Sequence, residues 1–225
     1  MLEKGVISND QKTSTIKNIT TYTDINKGVE NTSLVVEAAT ENEAVKIQIF
    51  KILDETSSKN TILATNTSSI SITKIAAATK RPGKVIGMHF MNPVPIMKLV
   101  EVIRGKETSN KVTESIMAMS NKLGKIPVEV NDAPGFVANR ILMPMINEAI
   151  ESLYHGVAGV EEIDTIMKLG MAHPMGPLQL GDFIGLDVCL SILEVLHNGF
   201  QDDKYKPNKL LKRMVNDGEL GVKTK

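Results

Sequence analysis

A histidine and a glutamate occupy two neighbouring segments that both have the pattern of strands. His89 lies near the end of the apolar run 84–90, and Glu101 lies midway along the next run, 98–103. A short reversal between the two strands would return Glu101 toward His89. A carboxylate bonded to one imidazole nitrogen fixes the tautomer and raises the basicity of the other nitrogen. The pair is a candidate for moving a proton between an alcohol and a ketone. The alternative is a structural histidine at a strand end.

Two further polar groups precede or begin predicted helices. The turn 66–69, Asn-Thr-Ser-Ser, follows a predicted strand and would present hydroxyls and backbone N–H groups to a ligand. Its alternative role is simple helix capping. Asn139 falls on the first turns of a helix entered through Pro134 and Gly135, where its amide could bond a substrate oxygen or face solvent.

No residue pattern indicates a metal site or a nucleophile motif. The four histidines are scattered along the chain, and Cys189 is the only cysteine. Cys189 lies in an apolar helical pattern, which favours a buried and inert thiol. The chain contains neither a G-x-S-x-G elbow nor a Walker phosphate loop.

Alternating strands and helices must position these residues. Apolar runs predict strands at 34–38, 61–65, 84–90, 98–103 and 126–130, and helical periodicity predicts helices at 41–55, 71–78 and 109–123. This order is typical of an α/β sheet with parallel crossovers, in which ligands gather at the carboxyl ends of the strands. Residues 1 to about 28 are polar and predict a short helix followed by loop and edge structure.

The pattern changes after residue 131. From there on, helical periodicity broken by glycine and proline replaces the strands. The sequence therefore predicts an α/β domain over residues 1–131 and an all-helical domain over residues 132–225.

The composition gives no overall charge that would attract a strongly charged partner. Lys plus Arg and Asp plus Glu each number 26, so the formal net charge is zero and favours neither nucleic acid nor an anionic membrane. No apolar run is long enough to span a bilayer, and the N-terminus lacks the apolar core of a secretory signal. A single cysteine suits a reducing compartment. We expect a cytoplasmic protein.

Six segments together resemble the 3-hydroxyacyl-CoA dehydrogenase family, in particular its bacterial 3-hydroxybutyryl-CoA type. They are Leu34-Val-Val-Glu-Ala-Ala, Ala64-Thr-Asn-Thr-Ser-Ser-Ile-Ser-Ile, Val85-Ile-Gly-Met-His-Phe-Met-Asn-Pro, Met97-Lys-Leu-Val-Glu-Val-Ile, Ala133-Pro-Gly-Phe-Val-Ala-Asn-Arg and His173-Pro-Met-Gly-Pro-Leu-Gln-Leu-Gly-Asp-Phe-Ile-Gly-Leu-Asp. Each segment alone is weak evidence, but six in the family's order and spacing are specific.

The resemblance implies a reversible hydride transfer between C3 of a 3-hydroxyacyl-CoA and NAD, with NADP not excluded. His89 would be the general acid/base and Glu101 would orient it. Ser68 and Asn139 would bond the substrate's 3-oxygen, its thioester or the nicotinamide. The cofactor would also contact Glu41, Lys46, Asn92 and Lys223. The family's fold would be a Rossmann-like sheet followed by an all-helical domain through which two copies dimerise.

Two departures qualify this expectation. The chain contains no G-x-G-x-x-G loop, which in the family holds the cofactor pyrophosphate. It also stops at Lys225, a position where the family usually has glycine and then continues with a glycine-rich, aromatic ending. Both ends are therefore expected to be cut and the sheet incomplete. Losing two or three charge-assisted bonds would weaken cofactor binding by roughly a hundredfold to a millionfold. The alternatives are the dehydrogenase portion of a multifunctional β-oxidation protein, or an impaired fragment that binds acyl-CoA or dimerises without turnover.

Overall fold

A five-stranded sheet forms the first part of the molecule. The structure is a computed structural model that describes residues 2–3 and 5–224. The strands are β1 (Leu34–Glu37), β2 (Ile62–Thr65), β3 (Val85–Phe90), β4 (Leu99–Arg104) and β5 (Ile126–Asn131), and they lie in this order across the sheet. β1, β2 and β3 are parallel, β3 and β4 are antiparallel, and β4 and β5 are parallel. The predicted α/β fold class is confirmed.

Helices alternate with the strands up to β5, and after β5 the described chain contains helices and no further strand. They are α1 (Asn9–Lys17), α2 (Ile25–Val29), α3 (Glu43–Thr56), α4 (Ile72–Ala77), α5 (Asn110–Lys122), α6 (Ala138–Tyr154), α7 (Val160–Gly170), α8 (Pro177–Ile184), α9 (Leu186–Phe200) and α10 (Lys209–Asn216). Short 3-10 helices lie at Pro82–Lys84, Asp203–Tyr205 and Val222–Thr224.

Local capping sets where the sheet's helices begin. The side chain of Asn42 accepts from the Val45 N–H at 3.1 Å, so α3 begins after this cap and not at Glu41 as predicted. Ser71 caps α4 as expected, since its side chain accepts from the Lys74 N–H. Over residues 1 to about 28 the predicted short helix is confirmed by α1, but the prediction of loop and edge structure after it was wrong in part. Within the described part of this segment the chain forms α1 and α2 and no strand.

The two faces of the sheet bury different residues because successive strand side chains point to opposite sides. One face packs Leu63, Val85 and Ile103 with residues of α3 and α4 and with Phe136. The other packs Ala64, Ile86, Met88, Val100 and Val102 against α5. By this alternation His89 and Glu101 lie on the first face, the face that Phe136 covers.

The helical part has its own core. Helices α6, α8, α9 and α10 supply buried residues such as Met143, Ile146, Leu193 and Leu211. Cys189 lies in this core, and burial raises its pKa to about 11, so it stays a protonated thiol at neutral pH. The predicted burial of this thiol is confirmed. In the described part of the chain no helix is long and apolar enough to cross a membrane.

The segment between β5 and α6 joins the two parts. Asp132 directly follows β5, and its carboxylate accepts from the Ile72 N–H at 3.1 Å, the Thr73 N–H at 2.8 Å and the Ser71 hydroxyl at 2.7 Å. These bonds satisfy the first amides of α4, which have no partner within the helix. They also fix the start of α4 relative to the segment that leads into α6.

Candidate active site

His89 and Glu101 form a hydrogen-bonded pair across β3 and β4. The two residues are directly opposite in the antiparallel register, as the predicted reversal required. His89 Nδ1 lies 2.8 Å from Glu101 Oε2, and both residues are buried, with 8% and 3% of their surface exposed. No described residue bonds His89 Nε2. This nitrogen is therefore available for proton exchange with a ligand.

The second oxygen of Glu101 is held by the start of α6. Glu101 Oε1 accepts from the Ala138 N–H at 3.0 Å and from the Val137 N–H at 3.2 Å. Burial raises the pKa of Glu101, but the bonds from His89, Ala138 and Val137 outweigh it and hold this pKa below its ordinary value. The positive end of the helix dipole acts in the same direction. Glu101 is thus an anion at neutral pH.

Phe136 lies over the histidine and was not identified from the sequence. Its ring centroid is 6.0 Å from that of His89, and Phe136 is 2% exposed. Its backbone has a φ of 51°, directly after Gly135 with a φ of 70°. A bulky residue rarely adopts positive φ, so no sequence signal indicated this conformation. The left-handed step brings the phenyl ring onto His89 and the following amides onto Glu101.

The turn after β2 joins the same site. Asn139 Nδ2 donates to the Ser68 carbonyl oxygen at 3.0 Å, which links the start of α6 to the turn. Asn66 Oδ1 accepts from the Phe90 N–H at 2.9 Å, which links the turn to the end of β3. The structure therefore brings together Ser68, His89, Glu101 and Asn139. The Ser68 hydroxyl has no bond to another described residue and can reach a ligand.

Glu41 supports this turn. Its Oε1 accepts from the N–H groups of Ser68 at 2.7 Å and Ser69 at 3.0 Å, and from the hydroxyls of Thr67 at 2.6 Å and Ser69 at 3.0 Å. The other oxygen lies 3.7 Å from Lys46 Nζ. The side chain is 42% exposed, so a ligand can still approach it.

Lys46 is buried beneath Glu41. It is 1% exposed, and its ammonium bonds both oxygens of Glu37, at 2.9 and 2.8 Å. Sequence reasoning did not single out Glu37. The available signal would have been a strand that ends in a glutamate and a lysine near the start of the next long helix.

Two predicted cofactor residues form no hydrogen bond or ion pair with Ser68, His89, Glu101 or Asn139 in the described part of the chain. Asn92 is exposed on the loop between β3 and β4, close in sequence to His89. Lys223 lies in the 3-10 helix Val222–Thr224, and its ammonium is 2.5 Å from Asp187 Oδ1 at the start of α9.

Two of the molecule's cavities have neither His89 nor Glu101 in their lining. A cavity of about 480 Å³ runs between the two parts of the chain and is lined in part by Glu41, Ser69, Asp132 and Pro134. Another of about 630 Å³ lies within the helical part, between α6, α7 and α8. The candidate active site is therefore defined by the hydrogen bonds of His89 and not by a cavity.

Comparison with known proteins decides the family. Residues 1–133 match the model of the 3-hydroxyacyl-CoA dehydrogenase NAD-binding domain, and residues 135–225 match that of the 3-hydroxyacyl-CoA dehydrogenase C-terminal domain. The chain belongs to the 3-hydroxyacyl-CoA dehydrogenase family. By this resemblance it is an enzyme, an oxidoreductase whose cofactor is NAD.

Relatives within the 3-hydroxyacyl-CoA dehydrogenase family carry a more specific name. A probable 3-hydroxybutyryl-CoA dehydrogenase of Bacillus subtilis is 56% identical over 222 residues, which cover 99% of this chain and 77% of the relative. The 3-hydroxybutyryl-CoA dehydrogenase of Clostridioides difficile is 54% identical over 212 residues, or 94% of this chain and 74% of the relative. The crystal structure of (S)-3-hydroxybutyryl-CoA dehydrogenase from Ralstonia eutropha superposes with a TM-score of 0.95 at 50% identity, covering 99% of this chain and 78% of that one.

The residues present fit the nicotinamide end of NAD. The parallel strands β1, β2 and β3 have their carboxyl ends at the same edge of the sheet, where β2 leads into the turn that carries Ser68 and where such sheets bind ligands. The Ser68 hydroxyl bonds no other described residue, so it offers a hydrogen bond there without breaking an existing one.

Proposed function

We propose that this chain interconverts 3-hydroxyacyl-CoA and 3-oxoacyl-CoA with NAD, and that the natural pair is (S)-3-hydroxybutyryl-CoA and acetoacetyl-CoA. The observation that carries the proposal is the buried His89–Glu101 pair, with the carboxylate fixed by two amides of α6. The names of the relatives support the choice of acyl group.

His89 moves the proton of the reaction. When the alcohol is oxidised, Nε2 accepts the proton of the 3-hydroxyl group. Nδ1 donates to Glu101 throughout, which keeps Nε2 as the accepting nitrogen and stabilises the imidazolium that forms. In the reverse direction the imidazolium returns the proton to the 3-oxo oxygen. NAD, when bound, would accept the hydride that leaves C3 of the alcohol, and NADH would return a hydride to C3 in the reverse direction.

Ser68 and Asn139 orient the substrate in this proposal. The Ser68 hydroxyl can donate to the 3-oxygen or to the thioester carbonyl. Asn139 uses one N–H to hold the Ser68 carbonyl, which leaves the rest of its amide for the substrate. Asn92 and Ser68 are the proposed contacts to the nicotinamide end. Glu41, Lys46 and Lys223 remain predicted cofactor contacts, and Lys223 would have to exchange its bond with Asp187 for one with NAD.

We also propose a division of labour between residues 1–131, which bind NAD, and residues 132–225, which close the substrate cleft and form a homodimer. Large exposed apolar side chains on α7 and α8 support the second role. Ile166, Leu169 and Phe183 are 58%, 83% and 60% exposed. The cytoplasmic location stays a prediction.

The proposal is tested by the reaction itself. We expect the purified chain, supplied with millimolar NADH, to reduce acetoacetyl-CoA, with chiral chromatography identifying (S)-3-hydroxybutyryl-CoA as the product. Acetoacetate, which lacks CoA, is the matched control substrate and should react far more slowly. Binding of acetoacetyl-CoA without NADH oxidation would contradict the enzyme and support the acyl-CoA-binding alternative.

A further inference from the structure

Glu37 is a buried carboxylate at the carboxyl end of β1. It is 5% exposed, and it accepts from the Thr65 hydroxyl and from the Ala39 N–H, both at 2.7 Å, as well as from Lys46. Replacing a buried ion pair by apolar residues is often neutral or even stabilising. Stability alone is therefore a weak reason for this pair, and its connections indicate another role.

The ammonium of Lys46 connects Glu37 to Glu41. An ammonium has three protons, and the two oxygens of Glu37 take the short bonds at 2.9 and 2.8 Å. The remaining side of the ammonium faces Glu41 Oε2 at 3.7 Å. Since Lys46 is itself 1% exposed, solvent screens this attraction less than at the surface.

Glu41 transmits this position to the active site. Its Oε1 bonds the backbone N–H groups of Ser68 and Ser69, and the carbonyl oxygen of Ser68 is the acceptor for Asn139 Nδ2. A continuous set of charged and polar contacts therefore runs from the end of β1 to the start of α6.

We infer that Glu37 is a positioning residue of the active site: it fixes the Lys46 ammonium beside Glu41, and Glu41 holds the backbone of the turn that carries Ser68. The consequence for catalysis rests on the proposed function, whereas the positioning itself does not. Burial raises the pKa of Glu37, but the bonds from Lys46, Ala39 and Thr65 hold this pKa below its ordinary value of 4.5. The carboxylate therefore remains charged at neutral pH.

Amide hydrogen exchange at Ser68 and Ser69, measured by NMR, tests the inference. The double variant Glu37→Gln/Lys46→Met replaces the pair by neutral side chains of similar length. We expect the two amides to exchange about tenfold faster, since Glu41 loses its orienting charge. Glu41→Ala should have the same effect. Glu43→Gln, which removes the more exposed carboxylate that pairs with Lys74, should leave both amides unchanged.

Unchanged exchange at Ser68 and Ser69 in the folded double variant would overturn the inference. If the double variant does not fold, Glu37→Asp is measured instead, because it keeps the negative charge on a shorter side chain that holds Lys46 less well. Faster exchange of the two amides in Glu37→Asp supports the inference, and unchanged exchange refutes it. In the NADH assay Glu37→Asp, which leaves Lys46 in place, should lose kcat more than it raises the KM for acetoacetyl-CoA. Exchange does not require turnover, so an inactive chain would refute the proposed function and leave this test intact.

Discussion

Glu101 bonds His89 with one carboxylate oxygen and the first amides of α6 with the other. The residue thus has two tasks that depend on the same negative charge. It selects the tautomer of His89, and it places Asn139, the residue that follows those amides. A substitution that removes the charge of Glu101 but keeps the shape of its side chain separates the electrostatic contribution of this residue from its packing.

We expect Glu101→Gln to lower kcat by roughly 10- to 150-fold, because it removes a charge-assisted hydrogen bond worth about 1.5–3 kcal/mol in the transition state. The measurement is steady-state NADH oxidation with acetoacetyl-CoA. Glu129→Gln is the matched control, since this exposed carboxylate on β5 pairs with Arg104 and, among the described residues, with no other cation. An equal loss in both variants would show that the effect of Glu101 is not local.

The lowered pKa of Glu37 predicts how stability depends on pH. A carboxyl group whose pKa is lower when folded stabilises the protein above its unfolded value, here 4.5, and this contribution is lost as pH falls through the folded value. As the pH is lowered from 4.5, we expect the free energy of unfolding in urea to decrease less steeply in Glu37→Gln/Lys46→Met than in the native chain. Identical pH profiles would contradict the assigned ion pair.

Among the elements, the segment between β5 and α6 does most to shape the site. Gly135 has a φ of 70°, and a side chain there would meet Leu196 of α9 at 2.6 Å. Phe136 follows with positive φ and covers His89. The direction in which α6 leaves this segment determines where the Val137 and Ala138 amides meet Glu101.

We expect Gly135→Ala to destabilise the fold by more than about 1 kcal/mol, because both its φ and its contact with Leu196 disfavour a side chain. It should also lower kcat, since the start of α6 must shift. Gly156→Ala is the matched control, with a φ of 67° and no atom within 4 Å of the added carbon. Urea unfolding and the NADH assay measure both effects. An equal loss of stability and kcat in Gly156→Ala would mean that the positive φ alone, and not the contact with Leu196, causes the effect.

The elements were predictable from the sequence to a greater degree than the contacts between them. Apolar runs bounded by polar turns located all five strands within about a residue. Burial on both faces requires continuous apolar stretches in β2, β3 and β4, whereas β5 is largely exposed. The reversal that pairs His89 with Glu101 followed from the short connection between their strands. The conformation of Phe136 and the pairing of Lys46 with Glu37 did not, because each depends on tertiary contacts that no local pattern encodes.

At the level of the whole molecule, the helical part presents apolar side chains that its own core leaves uncovered. Leu169 on α7 is 83% exposed, and Met171 just beyond α7 is 60% exposed. Scattered apolar residues are common on protein surfaces. Several large ones on neighbouring helices are typical of a surface that another chain covers.

We expect the native chain to sediment as a dimer and Leu169→Glu to shift it to monomer, because the new charge would be buried unpaired at the interface. Analytical ultracentrifugation measures the change. Val6→Glu is the control, since Val6 is 60% exposed in the N-terminal segment. A native chain that sediments as a monomer, or a Leu169→Glu variant that remains a dimer, would contradict the proposed interface.

The acid/base role of His89 is tested most directly by the kcat of His89→Ala in the reduction of acetoacetyl-CoA by NADH. Loss of a general acid should lower kcat by about 10²–10⁴-fold. His155→Ala is the matched control, because His155 is exposed and bonds Glu151, and it should retain the native rate. Turnover by His89→Ala at the native rate, or no turnover by a folded native chain, would contradict the mechanism.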